Sequence, residues 1–248
     1  MKKFLSIFSL ILVLTFSLVS CEKKTEDFNS DKLEEYVPTE VGKYIRYRLD
    51  SVLYVNFGQK DSTVYYQAKD VVEEVFKDDK DRTSLRVVRY LRDTLETKAW
   101  APTMTYVITP DRNKVEVVEN NLRFIKLILP LSEGSSWKGN TYVNLNSTDP
   151  AWDFDYLFDW DYTYENMGSD FTIFGGKSIP NTVTINQRDE VIGIPTDPNG
   201  YSERNFSVEV YAKGIGLVSK NFLHTEYQPG NPGYTNGYGI RMKMIDHH

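Results

Sequence analysis

From Lys43 onward the chain is a succession of short runs rich in Val, Ile, Tyr and Phe, separated by clusters of Gly, Asn, Asp and Pro. No segment sustains the 3.6-residue apolar period of a long amphipathic helix, and that combination leaves little but strands to fold with. The extended runs are 43–57, 62–76, 85–95, 99–109, 114–119, 123–129, 142–145, 182–187, 206–212, 216–222 and 239–245. Turn chemistry falls between them at Gly58–Asp61, Lys77–Asp81, Pro110–Asn113 and Asn120–Asn121. The spacing predicts an all-β domain, an antiparallel meander forming a curved sheet, half-barrel or sandwich, with little helix. Val71–Phe76 fits a helical turn as well as a strand, and Leu33–Tyr36 fits a short helical turn. An aromatic content of 14%, with 17 tyrosines, suits strands that keep one wet face. No internal repeat is visible, and residues 41–248 read as a single β-rich domain, with 177–199 the one region where a boundary would fit.

One stretch differs from the rest: WDFDYLFDWDYTY, from Trp152 to Tyr164. Trp152, Phe154, Tyr156, Phe158, Trp160, Tyr162 and Tyr164 recur with period two, and Asp153, Asp155, Asp159 and Asp161 alternate with them. In a strand the rings share one face and the carboxylates the other. The plain reading is an amphipathic strand closing the core. A second reading leaves part of the row exposed as an interaction surface, because Tyr and Trp dominate interface hot spots. A calcium loop fits poorly, since counting from Asp159 the EF-hand glycine and glutamate positions hold Tyr164 and Asp170. No Lys or Arg occurs from 140 to 176, a charge pattern that attracts basic partners and repels anions.

The N-terminus carries its own signal. Lys2 and Lys3 precede an apolar run from Phe4 to Val19, which reads as a secretory leader over residues 1–20. It ends in Leu18-Val19-Ser20-Cys21, which resembles the lipobox of bacterial lipoproteins. The resemblance implies cleavage before Cys21, acylation (palmitate or a similar chain) of its thiol and amino group, and stable anchoring by two or more chains. Cys21 is the single cysteine, so its lipidation leaves no thiol for disulfides, metal or nucleophilic catalysis. Residues 21–40 are polar and read as a flexible tether. Of 29 basic and 35 acidic residues two lysines lie in the leader, so the mature chain has a formal charge of −8. That argues against nucleic acid as a partner.

Two further segments carry a resemblance. YAKGIGLVSK, from Tyr211 to Lys220, looks like the Tyr-Ala-x-Gly-Val-Gly-Leu-Val-Lys turn of many secreted bacterial β-proteins and lipoproteins. VVENNLRFIKLILPLSEGSSWKGN, from Val117 to Asn140, looks like segments of lipoproteins of the Bacteroidota. These imply a β fold and an outer-membrane location, on the periplasmic face or the cell surface, and bring no catalytic residues with them. Asp-Ser/Thr-aliphatic triplets at Ser51, Ser62 and Thr94 resemble the O-glycosylation sequon of that phylum.

Catalytic signals are sparse. The body holds one histidine, His224, which reads as a loop or surface residue, and His247–His248 read as a frayed tail. No nucleophile elbow, Ser-x-x-Lys or zinc-protease motif is present. The expectation is therefore a non-enzymatic protein without metal or cofactor, an accessory or interaction subunit of an envelope assembly, secretion or uptake complex. The alternative is a glycan- or lipid-binding lipoprotein using an aromatic surface or a cavity of the curved sheet, and a third is a hydrolase without a familiar motif. The turn-rich segment 228–239 is a secondary candidate surface.

Overall fold

A computed structural model describes residues 32–143 and 154–248. Among the described residues, twelve antiparallel strands form one sheet: β1 (Tyr44–Val55), β2 (Lys60–Lys77), β3 (Thr83–Asp93), β4 (Ala101–Pro110), β5 (Lys114–Glu119), β6 (Leu122–Ile128), β7 (Ser136–Lys138), β8 (Asp161–Thr172), β9 (Ser178–Gly193), β10 (Ser202–Ala212), β11 (Gly216–Gln228) and β12 (Tyr234–His247). The order across the sheet is β6-β5-β4-β3-β2-β1-β12-β11-β10-β9-β8-β7. Every neighbour in chain order pairs except β6 with β7, and the first and last strands join through β1 and β12. The expected antiparallel meander is the one observed, curled into a nearly closed barrel. Val71–Phe76 resolves as part of β2, and β9 runs unbroken through most of the region where a boundary would have fitted.

The seam between β6 and β7–β8 closes with few ladder bonds. The Ile125 N–H donates to the Gly139 carbonyl (2.8 Å), and the Trp137 indole N–H donates to the Ile125 carbonyl (2.8 Å). The Tyr164 hydroxyl accepts from the Ile128 N–H (2.7 Å) and donates to the Ile128 carbonyl (2.8 Å), replacing one ladder link with a side chain. Strand edges must be paired or covered, and here aromatic side chains do the covering. The Tyr162 ring lies so close to Gly139 that an added Cβ would sit 2.4 Å from it, so glycine is needed there.

Alternation sets the interior. Val183 and Ile185 of β9, Val115 and Val117 of β5, Val87 of β3, Val72 of β2 and Tyr211 of β10 share one buried cluster with Trp160, Tyr162 and Tyr164. A second cluster joins Tyr47, Leu49, Met242 and Met244 to the tip of the β8–β9 hairpin through Ile173, Phe171 and Ile179.

The ordered body begins before the expected tether ends. Leu33–Tyr36 forms a 3-10 helix, at the place expected, and Leu33, Tyr36 and Val37 are buried in the first cluster. This strap is fastened by the Gly214 N–H to the Glu35 carbonyl (2.6 Å) and by Lys213 Nζ to Glu35 Oε2 (3.2 Å). Gly216, at φ +118, meets Pro38 Cδ at 3.2 Å from where a Cβ would stand. The glycine turn of YAKGIG is therefore a seat for the strap, a need invisible in the motif itself. The histidines at the chain's end are not frayed: His247 lies in β12, and His248 exchanges backbone bonds with Tyr44 at 3.0 and 3.1 Å.

Candidate functional site

The aromatic stretch does not form one strand. Asp155–Leu157 is a 3-10 turn, Phe158 and Asp159 form a bend with Asp159 at φ 58, and only from Asp161 does the chain enter β8. That left-handed residue breaks the period-two phase, so the six rings among the described residues do not share a face. Trp160 and Tyr162, both 1% exposed, and Tyr164 are core, which removes Trp160 and Tyr162 from the expected interaction surface. The Trp160 indole N–H donates to the Tyr156 carbonyl (2.6 Å), and the Tyr162 hydroxyl donates to Asn140 Oδ1 (2.7 Å). Phe154 and Tyr156 are half-buried, with the Tyr156 ring stacked on His224 at 3.6 Å. Phe158, Asp155, Asp159 and Asp161 are exposed, and Lys138 Nζ bridges Asp159 Oδ1 and Asp161 Oδ2 at 3.0 Å each. His224 is buried in β11 rather than on a loop or the surface, its Nδ1 2.8 Å from Asn205 Oδ1. Trp152, Asp153 and Cys21 lie outside the described residues.

The sheet encloses what the sequence did not announce. A cavity of about 940 Å³ opens at the strap end, between the strap and the interior faces of β1–β6, β10 and β11. Its upper wall is apolar, with Val72, Val87, Ile108, Val115, Val117 and Leu217, and Tyr36, Val37 and Pro38 of the strap cross its mouth. Its floor is a belt of six ionisable side chains, Asp70, Arg89, Glu119, Lys126, Glu209 and Lys220.

The belt is paired throughout. Arg89 donates from Nε and Nη2 to the two oxygens of Asp70, at 2.7 Å each, and the Tyr106 hydroxyl donates to Asp70 Oδ2 at 2.9 Å. Lys126 Nζ donates to Glu209 Oε1 (2.8 Å), and the Tyr211 hydroxyl to Glu209 Oε2 (2.9 Å). Lys220 Nζ donates to Glu119 Oε1 (3.1 Å) and stands 3.7 Å from Glu209 Oε1. Burial pushes the Glu209 carboxyl up, but the Lys126 and Lys220 ammonium groups outweigh it and hold the group below its ordinary value. The same opposition, with Lys220, Lys126 and Arg89 against burial, brings Glu119 down to about 2. Burial drives the Tyr47, Tyr106 and Tyr211 hydroxyls well above their ordinary value, so they stay protonated donors.

Sequence reasoning assigned none of these residues to a site, yet four of the six break an apolar phase. Glu119 follows Val115 and Val117, Arg89 follows Val87, Lys126 follows Phe124, and Asp70 precedes Val72, always at a spacing of two. A charged residue in the inward register was the available signal. The glycosylation triplets fall elsewhere: Ser51 and Ser62 are half-buried within β1 and β2, and Thr94 sits in the β3–β4 turn beside the exposed Leu95. Of the turn-rich segment 228–239, only residues 229–233 connect strands.

No protein-family model matches the chain, and no curated protein matches it. A solved structure of a Bacteroides fragilis protein, described as inferred to be exported and as having a YmcC-like fold, superposes on it at 9% identity. That likeness spans 85% of this chain and 99% of the other with a TM-score of 0.40, too loose to fix fold or function.

Proposed function

We propose that the chain is a non-enzymatic envelope lipoprotein, anchored through Cys21, that carries a small amphiphile inside its curved sheet. The observation supporting this is the 940 Å³ cavity with an apolar wall and an ion-paired floor. A buried ionic belt is a poor way to stabilise a sheet: removing charges from water costs several kcal/mol each, and apolar residues of similar volume serve packing as well or better. Charges kept beside open space are there for what enters that space. Three acids face three bases on the floor, so it favours neither anions nor cations and suits an uncharged or zwitterionic head. The apolar wall then takes the ligand's body, and the strap lies across the way out.

The test is titration of the full mature chain with lauroyl lysophosphatidylcholine and lauroyl glycerol below their micellar concentrations, read by calorimetry. Saturable one-to-one binding that Val117→Trp abolishes is the expected result. Neither amphiphile binding, or binding that ignores Val117→Trp, would refute the reading.

A second reading, an accessory subunit docked on an envelope complex, draws on a different observation. Phe57 (94% exposed), Leu95 (82%) and Ile194 project from the β1–β2, β3–β4 and β9–β10 turns, all at the end opposite the strap. Replacing all three with serine is expected to lose a partner that co-purifies with the parent from its own membrane. A partner retained by the triple variant would count against docking at these tips.

A further inference from the structure

The belt has a second side. A smaller cavity of about 240 Å³ lies beyond it, toward the end opposite the strap, where Asn120, Phe154 and Tyr238 form its rim. Arg89, Lys126, Lys220 and Glu119 border both spaces, whereas Asp70 and Glu209 border the large cavity alone. The small cavity therefore meets three cations and one anion of the belt, an imbalance absent on the other side. Its remaining wall is aromatic and aliphatic, chiefly Phe124, Trp160, Tyr162 and Phe222.

One polar group in this wall has no partner among the described residues. Gln187, 2% exposed, accepts a hydrogen bond at Oε1 from the Ser207 hydroxyl (2.7 Å), and its Nε2 is without a hydrogen-bond partner among the described residues. A buried donor left unpaired costs about 1–3 kcal/mol. Backbone geometry brings it there: Ser207 pairs with Arg188 and Val208 with Asn186, so Gln187 is the extra residue of a β-bulge. Bulges recur where a side chain must be re-aimed, often beside functional sites.

We infer that this cavity is a binding site for a small carboxylate with a compact apolar body, its carboxylate accepting from Gln187 Nε2 on the cation-rich side of the belt. The volume suits a single ring or short chain, since a cavity of about 150 Å³ already takes up benzene. The site is separate from the amphiphile cavity and opens at the other end, so either can fail alone.

The probes are trans-cinnamate, indole-3-acetate and hexanoate, each against its uncharged amide, titrated calorimetrically into the full mature chain. At least one carboxylate is expected to bind, and at least tenfold more tightly than its amide. Gln187→Met removes the donor, and Gln187→Glu keeps the acceptor for Ser207 while adding a negative charge. Both are expected to weaken that carboxylate at least tenfold while circular dichroism stays all-β, and the parent's preference for carboxylate over amide needs neither variant to fold. Three results would each overturn the assignment: no carboxylate of the panel binding, amides binding as well as acids, or a folded variant that keeps full affinity. In the first case a buried water on Nε2 is the whole explanation of the amide.

Discussion

The belt residues set what single substitutions do. Lys126 and Glu209 are both buried and meet at 2.8 Å, although 83 residues separate them in the chain. Lys126→Met leaves Glu209 the Tyr211 hydroxyl and, as its remaining cation, the Lys220 ammonium at 3.7 Å, and breaking a buried pair from one side costs about 3–5 kcal/mol. The double change Lys126→Met with Glu209→Gln is expected to regain part of that loss, measured by urea denaturation. Equal or greater destabilisation in the double variant would contradict the pairing. Acid stability follows from the same groups. Glu119 has an ordinary value of 4.5 and falls to about 2 in the fold, and Glu209 is also lowered. Depressed carboxylates stabilise the folded state above the unfolded value, and that contribution is lost as pH falls through the folded one. The melting temperature is thus expected to hold above about pH 5 and drop between about pH 4.5 and 2, with Glu119→Gln giving a shallower drop. A variant curve parallel to the parent's would remove Glu119 from the account.

Strands were legible because period two is local, and each run of alternating apolar residues carries its own face. β5 was read at its observed bounds, and β1, β2 and β6 within two residues at each end. The stretch 152–164 was misread for an equally local reason: period two persists through a 3-10 turn and a left-handed Asp159, and nothing in ring spacing shows that the phase was reset. β7, three residues long, carries too little pattern to be seen. Two elements give direct tests. Tyr164→Phe removes the hydroxyl that bridges the seam and strands the Ile128 N–H and carbonyl, which predicts a loss of about 1–3 kcal/mol by urea denaturation. No loss would mean that the seam is held elsewhere. Leu33→Ala in the strap predicts about 2–5 kcal/mol, because Leu33 is core despite preceding the sheet. A neutral effect would return residues 32–40 to the flexible tether that the composition suggested.

Across the molecule, the all-β meander was legible, and a cavity was weighed as an alternative, but its charged lining was not legible. Curvature, closure and what faces what depend on register between strands far apart in sequence, as Glu119 and Lys220 at a separation of 101 residues illustrate. The aromatic row drew the search for a binding surface to its own rings, yet the structure uses Tyr164 to bridge the seam and Trp160 and Tyr162 to line the small cavity. What they enclose is an interior divided by charge, with a large balanced cavity on one side and a small cation-rich one on the other. What decides the function is whether the large cavity holds an amphiphile. Native mass spectrometry of the protein extracted from its own membrane, with denatured protein as the reference for covalent acyl chains, tests it directly. One additional non-covalent amphiphile per chain, absent from Val117→Trp, is the expected result. Parent protein carrying no such mass, or a Val117→Trp variant carrying the same one, would contradict it.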